Sequence, residues 1–151
     1  GQLSDWQELP LGIYTPVGST DSEHAFCWLM GELRRVFPTP PASPEALWEK
    51  LHGLCEQLRG LGVFNLLLSD GVYLYSYCST KLAHITRRAP FGEAELSDAE
   101  ITVNFIEHTT QHDIVSVIAT EPLTQNEAWH RMVPGELLVW REGEIHARYC
   151  P

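Results

Sequence analysis

One aspartate at the predicted start of a helix is the residue best placed to do chemistry in this chain. Asp21 follows the turn at Gly18 and Ser19 and precedes a run with helical periodicity. A carboxylate in the first turn of a helix is stabilised by the helix dipole, and that role alone would account for it. The same carboxylate could also receive the ammonium group of a ligand. The pattern favours the structural role, and both interpretations stay open at this point.

Histidines and arginines form two further groups that invite a search for a site. His108 and His112 have the spacing of a helical metal pair, but the residues between them favour a loop and no third ligand lies at a useful distance. We therefore expect no metal and no other cofactor. Arg87 and Arg88 could hold a carboxylate, although arginines beside a strand end are more often solvated or ion-paired. The other histidines are expected to be polar surface residues or hydrogen-bonded half-buried ones: His24, His52, His84, His130 and His146.

The cysteines show no metal-binding or redox spacing. Cys27, Cys55, Cys78 and Cys150 contain no C-x-x-C pair, and each lies in or beside an apolar stretch. We expect buried or inert thiols in a reducing cytoplasm. Motifs for a nucleophile elbow, a P-loop or a dinucleotide-binding turn are absent from the sequence.

Composition excludes several classes of partner. The 151 residues suit one domain, and 44% hydrophobic with 20% charged residues is typical of a globular protein. A formal net charge of −10 would repel nucleic acid and anionic membranes on average. No apolar run is long enough to span a bilayer, and the first residues do not resemble a signal peptide.

Two amphipathic helices are predicted after an irregular stretch over residues 1–19. The first runs from Asp21 to Val36, with Thr20 and Glu23 as a capping box. Prolines at residues 38, 40 and 41 end it. The second begins at Ser43 as N-cap, with Pro44 in the first helical position, and ends near Gly60 or Gly62.

Strand periodicity follows from Val63 onward. Residues 63–68 and 72–78 are predicted to form a β-hairpin around Asp70-Gly71, and a second hairpin turn is predicted at residues 141–144. The other strand candidates are residues 84–87, 100–105, 114–120, 137–140 and 144–149. Residues 114–119 are almost entirely apolar, which predicts a central strand covered on both faces. A short helix is predicted near residues 126–132. The fold class is therefore α+β, with helices layered on a largely antiparallel sheet.

Several ordered blocks of this sequence resemble class II glutamine amidotransferases, above all the short branch that lacks a synthase domain. They are Gly1–Leu3, Gly18–Phe26, Val63–Gly71, Ile85–Gly92, Val117–Leu123 and Pro134–Glu136. The resemblance covers essentially the whole chain and corresponds to the later part of the family's domain. It implies the αββα sandwich of N-terminal-nucleophile hydrolases.

The resemblance also implies a mechanism and two site residues. In the family an N-terminal Cys attacks the γ-carboxamide of glutamine, and its own α-amine is the base. An Asn side chain and the N–H of the following Gly stabilise the oxyanion. Gly1 is similar to that Gly, and Asp21 to the acid that binds the substrate α-ammonium. The resemblance thus favours a binding role for Asp21 while retaining its role at the helix start.

The sequence also departs from the family. The chain starts at Gly1, so the N-terminal Cys, an upstream Arg and the Asn are not in it, and Ser19 stands where Glu is frequent. We therefore expect residues 1–151 to be the C-terminal part of one amidotransferase domain, inactive without the missing N-terminal segment. Glutamine or a γ-glutamyl small molecule is the expected ligand, with a homo-oligomer or an ammonia-accepting protein as further partners.

A second hypothesis treats the chain as a non-catalytic module. A complete α/β domain of this size could bind a small amino-acid-like ligand or a protein without any chemistry. Hydrolysis of a γ-glutamyl amide distinguishes the two hypotheses.

Overall fold

A computed structural model describes residues 1–97, 102–104 and 110–151 of the chain. The helices are α1 (Asp21–Val36) and α2 (Pro44–Arg59), with a short 3-10 helix at Trp6–Glu8. The strands are β1 (Gln2–Leu3), β2 (Gly62–Val63), β3 (Leu66–Ser69), β4 (Leu74–Tyr77), β5 (Ala83–Arg88), β6 (Glu93–Glu95), β7 (Thr102–Asn104), β8 (Ile114–Ala119), β9 (His130–Arg131), β10 (Leu137–Arg141) and β11 (Glu144–Tyr149). The predicted α+β class is confirmed.

The described elements stack as three layers. The two helices pack on one face of a four-stranded antiparallel sheet in the order β11-β10-β4-β3. The opposite face of that sheet meets a three-stranded sheet in the order β8-β5-β9. Two small sheets, β1-β2 and β6-β7, complete the pairing.

Strand β10 is covered by both neighbouring layers. Leu137 and Val139 belong to the core under the helices, whereas Leu138 and Trp140 belong to the core between the sheets. Successive side chains of a strand point to opposite faces, so this alternation buries every one of the four residues.

The prediction that residues 114–119 form a central strand covered on both faces is wrong for the described residues. Strand β8 pairs with β5 alone and lies at the edge of its sheet. Its six residues are exposed or half-buried. An apolar run indicates that both faces of a strand are suited to burial, but it does not reveal which side the neighbours occupy.

Both helices begin at the predicted residues. Glu23 N–H donates to Thr20 Oγ1 over 3.3 Å at the start of α1, which is half of the predicted capping box. Ser43 and Pro44 precede and open α2 as predicted, although the Ser43 hydroxyl donates to the Glu45 carboxylate instead of capping the backbone. Gly60 follows the last residue of α2.

Gly53 in the middle of α2 leads to a stability prediction. A Cβ added there would meet no atom within 4 Å. Replacing Gly53 by Ala is expected to raise the free energy of unfolding by about 0.5–1 kcal/mol, because alanine loses less backbone entropy in a helix. Denaturant titration measures this. Gly60→Ala is the comparison variant, since its Cβ would lie 3.2 Å from Gln57 O and should gain less.

Both predicted hairpins are present, with different turns. Strands β10 and β11 turn through Glu142 and Gly143, both at positive φ, as a two-residue hairpin turn requires. Between β3 and β4 the turn has four residues instead of the expected Asp-Gly pair, because the Asp70 carboxylate accepts hydrogen bonds from the N–H groups of Val72 and Tyr73. Val63 leaves this hairpin and pairs with β1.

Two further predictions are wrong. Residues 1–19 are not irregular throughout, since they contain β1 and the 3-10 helix. No helix forms near residues 126–132, because the Asn126 amide is bonded to the backbone of Glu93 and Glu95 at 3.1 and 2.9 Å. These bonds hold Asn126 beside β6, in a segment of bends that leads into β9.

All four cysteines are free; Cys27, Cys55 and Cys78 are buried and Cys150 is exposed. Neither helix in the described part of the chain reaches the length and hydropathy of a bilayer span. Of the predicted strand at 100–105, only residues 102–104 fall within the description, and they are extended.

His84 lies between the two large sheets and is 5% exposed. Its ring stacks on His130 at 5.4 Å and meets the edge of Trp140 at 5.0 Å. Burial, and then the nearby charges of His130 and Arg148, lower the pKa of His84 below its ordinary value of 6.5. The imidazole is therefore neutral in the folded protein at neutral pH.

This lowered pKa predicts acid sensitivity of the fold. As the pH falls below about 6.5, the unfolded chain binds a proton at His84 that the folded chain does not, so the free energy of unfolding decreases. Denaturant titrations between about pH 7.5 and about pH 5.5 should show that His84→Phe weakens this decrease, whereas His112→Gln, at an exposed residue, keeps it. Equal pH dependence in the two variants would contradict the assignment.

Candidate functional site

One pocket contains both residues that the sequence singled out. Its volume is about 230 Å³. Its walls are the start of α1, strand β1 and the segment that joins β2 to β3. The lining residues are Gly1, Leu3, Asp21, Ser22, Ala25, Phe26, Leu29, Leu58, Val63, Phe64, Asn65 and Leu66.

Asp21 connects α1 to β1. Its Oδ2 accepts the N–H of Leu3 at 2.8 Å, and its Oδ1 accepts the N–H of Ser22 at 2.7 Å. A carboxylate has about four lone-pair positions, so these two bonds fix its orientation and leave acceptor capacity toward the pocket. The geometry thus accommodates the structural role and the ligand-binding role in the same side chain.

Glu23 holds the loop that leads into Asp21. Its two carboxylate oxygens accept the N–H groups of Val17 and Gly18, each at 2.8 Å. A Cβ on Gly18 would lie 2.6 Å from Glu23 Oε2, so the small residue allows this contact. The loop is therefore supported by Glu23, although Ser19 stands where the family often has Glu. The capping-box spacing singles out Glu23 in the sequence. That motif predicts a bond from the backbone N–H of the N-cap residue to the Glu23 carboxylate, whereas the carboxylate here accepts the N–H groups of Val17 and Gly18.

Gly1 lies against the backbone of β2. A Cβ on Gly1 would approach Val63 O to 2.4 Å and Phe64 Cα to 3.3 Å. A Cβ on Gly62 would in turn approach Gln2 O to 2.3 Å. Both sides of the β1-β2 contact thus require glycine. The sequence indicates Gly62 only as a helix end, but in the structure it supports the backbone next to the pocket.

Phe64 forms a fixed wall of the pocket. Its ring stacks on Tyr77 with centroids 5.4 Å apart and planes at 20°. The Tyr77 hydroxyl donates to Glu56, which pairs with Arg59 at 2.7 Å. The hydrogen bond from Arg59 is the main cause that lowers the pKa of Glu56. Glu56 therefore stays ionised and accepts the hydrogen bond from the Tyr77 hydroxyl.

Asn65 connects the pocket to the turn between β4 and β5. Its amide nitrogen donates to Lys81 O at 3.0 Å, and its oxygen accepts the N–H of Ser79 at 3.1 Å. Lys81 pairs with Glu121 at 3.1 Å, and Glu121 also pairs with Arg131. No sequence pattern indicates this role of Asn65, because the role depends on contacts between distant segments.

The predicted arginine pair lies outside this pocket. Arg87 forms a two-bond ion pair with Glu127 at 2.7 and 2.5 Å, and Arg88 pairs with Glu144. The Arg87 hydrogen bond lowers the pKa of Glu127, which also accepts the Thr124 hydroxyl. These contacts support the structural interpretation of both arginines.

The histidines also make structural contacts. His24 bonds to Leu9 O at 3.0 Å, and His52 bonds to Gly135 O at 2.8 Å. His108 of the predicted metal pair lies outside the described residues. Among the residues that the structure describes, no cluster of at least three His, Cys, Asp or Glu side chains could hold a metal ion.

Comparisons of this chain with a family model and with known proteins indicate the same family. The model of the family described as glutamine amidotransferases class-II matches residues 1–151. The chain is 49% identical over 144 residues to the Putative glutamine amidotransferase YafJ of Escherichia coli, covering 95% of this chain and 56% of that protein. It is 35% identical over 144 residues to a Putative glutamine amidotransferase of Haemophilus influenzae, covering 95% and 49% respectively.

A solved structure has the same fold. The 2.0 Å crystal structure of a predicted glutamine amidotransferase from Pseudomonas aeruginosa superposes with a TM-score of 0.85 at 53% sequence identity. The alignment covers 97% of this chain and 57% of that chain. The chain thus spans about half the length of the curated relatives that it matches.

Proposed function

This chain belongs to the class II glutamine amidotransferases, and we propose that it forms the substrate-binding and oxyanion side of a site that hydrolyses a γ-glutamyl amide. The substrate is glutamine, which gives glutamate and ammonia, or a γ-glutamyl conjugate, which gives glutamate and an amine. The observation that carries the proposal is the convergence of Gly1 and Asp21 on one pocket.

The two residues suit different ends of such a substrate. The Asp21 carboxylate, oriented by two backbone N–H groups, accepts the α-ammonium. The backbone nitrogen of Gly1, when it is an amide in a longer protein, donates to the γ-carbonyl oxygen. This hydrogen bond strengthens as negative charge develops on that oxygen during nucleophilic attack.

The chemical steps that we propose begin with a nucleophile of the kind that the family uses. We propose that the longer protein supplies an N-terminal Cys whose thiolate attacks the γ-carbonyl carbon. The C–N bond then breaks, the amine leaves with a proton, and a thioester remains. Water attacks the thioester, releases glutamate and restores the thiol.

We also propose that the rest of the longer protein covers the outer face of the three-stranded sheet. Ile118 of β8 packs into the core between the sheets, so Val115 and Val117 point to the opposite face. Ile85 is paired with Val117 in register and shares that face. Arg87, in register with Val115, lies on this face as well, and the three apolar side chains beside it support the fourth layer of an αββα sandwich.

Ammonia and glutamate release by the full-length protein tests the proposed function. We expect equimolar glutamate and ammonia from glutamine, and none from a variant without the N-terminal nucleophile. Binding of glutamine without hydrolysis would instead favour the non-catalytic ligand-binding module. Failure to bind or hydrolyse any γ-glutamyl amide would overturn the proposal.

We place this activity in the cytoplasm, which the free cysteines support, because thiols persist in reducing compartments. A homo-oligomer and an ammonia-accepting protein stay predictions for the longer protein. The net charge of −10 supports the absence of a nucleic-acid partner.

A further inference from the structure

The pocket is divided into a polar side and an apolar side. Asp21, Ser22 and the backbone of Gly1 are polar, whereas Phe26, Val63 and Phe64 present apolar surface. Phe26 is 47% exposed and Val63 is 48% exposed, although both line a pocket. No Lys, Arg or His among the described residues lines it.

The spacing of these residues along α1 and β1 indicates how far apart Asp21, Phe26 and Gly1 lie. Phe26 lies five residues after Asp21, which places it about 7.5 Å farther along the helix axis at 1.5 Å per residue. Asp21 bonds to Leu3, and Gly1 lies two residues from Leu3, about 6.6 Å in an extended strand. A γ-glutamyl group with its ammonium at Asp21 thus extends toward Gly1.

The apolar side begins where that γ-carbonyl would lie. Gly1 lies against the backbone of Val63 and Phe64, because a Cβ added to Gly1 would come within 2.4 Å of Val63 O and 3.3 Å of Phe64 Cα. A substituent on the amide nitrogen, one bond from the γ-carbonyl carbon, would lie in the same pocket, whose lining includes Phe26, Val63 and Phe64. The stack of Phe64 on Tyr77 keeps this wall in place.

We propose that Phe26, Val63 and Phe64 form a subsite for an apolar substituent on the amide nitrogen of the substrate. The subsite selects γ-glutamyl amides of bulky apolar amines over glutamine, whose leaving group is ammonia. Burying Phe26 and Val63 against such a group removes apolar surface from water. This inference rests on the proposed function of the same pocket.

The test compares two substrates in the full-length protein: glutamine and γ-glutamyl anilide. The two amides differ in intrinsic reactivity, so the informative quantity is the change that a substitution makes in the ratio of their kcat/KM values. Phe26→Ala is expected to lower the ratio of anilide to glutamine by about tenfold, a typical difference for lost apolar contact in a binding pocket. Val63→Ala should change the ratio in the same direction.

Val36→Ala is the matched control, because Val36 is a 41% exposed apolar residue of the same helix that does not line the pocket. It should leave the ratio unaltered. Thermal unfolding of each variant checks that the fold is retained.

The outcomes separate the two proposals. Hydrolysis of neither substrate by the full-length protein overturns the proposed function itself. Hydrolysis of glutamine but not of the anilide overturns the subsite alone. An unaltered ratio in Phe26→Ala, with or without lost stability, also overturns the subsite and assigns Phe26 to a packing contact.

Discussion

Replacing Asp21 by Asn in the full-length protein is expected to raise the KM for glutamine by roughly 10- to 100-fold. A hydrogen bond to a charged group contributes about 1.5–3 kcal/mol, and each 1.4 kcal/mol is a factor of ten in affinity. The ammonium is bound both in the ground state and in the transition state, so the loss should appear mainly in KM. Steady-state kinetics of glutamate release measures it.

The asparagine variant separates the charge of Asp21 from its shape. Asn keeps one acceptor oxygen for the N–H of Leu3 or Ser22, and it removes the negative charge. Glu8→Gln is the matched control, because Glu8 is an exposed acidic residue outside the pocket. If Asp21 only stabilises the helix start, the variant will unfold more easily and its KM will stay near that of the control.

Replacing Gly1 by Ala in the full-length protein is expected to lower kcat by about 100-fold or more. Removal of one oxyanion donor in other enzymes costs about 100- to 1,000-fold in kcat. Here the added Cβ, whose position the Gly1 backbone fixes, would lie 2.4 Å from Val63 O, which is also a backbone atom. Strand β1 must therefore shift, and the N–H of Gly1 moves with it.

Gly53→Ala is the control for this substitution, since its Cβ meets no neighbour. It makes the same chemical change far from the pocket and should leave kcat near the wild-type value. A Gly1→Ala protein with wild-type kcat would show that the Gly1 N–H does not stabilise the reacting oxygen. Single-turnover measurements would confirm that the loss lies in the chemical step.

The helices could be predicted from the sequence because their signals are local. The apolar residues of α1 recur at helical spacing between a Thr20 cap and a proline-rich stop, and the structure has the same bounds. The turn at Glu142-Gly143 is equally local, because its two positive φ angles depend on those two residues.

The sheet order could not be predicted, because it depends on which strands meet. The apolar run of β8 and that of β10 look alike in sequence, yet only β10 has a described layer on each face. The helix predicted near residues 126–132 is absent because contacts with a distant segment also decide the structure there. The helical pattern of these residues competes with hydrogen bonds to β6, which lies far away in the sequence.

The candidate site shows the same division between local and distant contacts. The place of Asp21 at a helix start is visible in the sequence, whereas the binding role that we propose for it depends on the family resemblance. No sequence pattern indicates the close contact of Gly1 with Val63 or the hydrogen bond that the Val17 N–H donates to Glu23. Both depend on how a loop folds back on a neighbouring segment.

A crystal structure of the full-length protein with bound glutamate tests the central claim most directly. We expect the α-ammonium within about 3 Å of an Asp21 carboxylate oxygen and a γ-carboxylate oxygen within about 3 Å of the Gly1 nitrogen, the usual hydrogen-bond distances. Glutamate bound elsewhere, or bound in this pocket with its ammonium away from Asp21, would contradict the account.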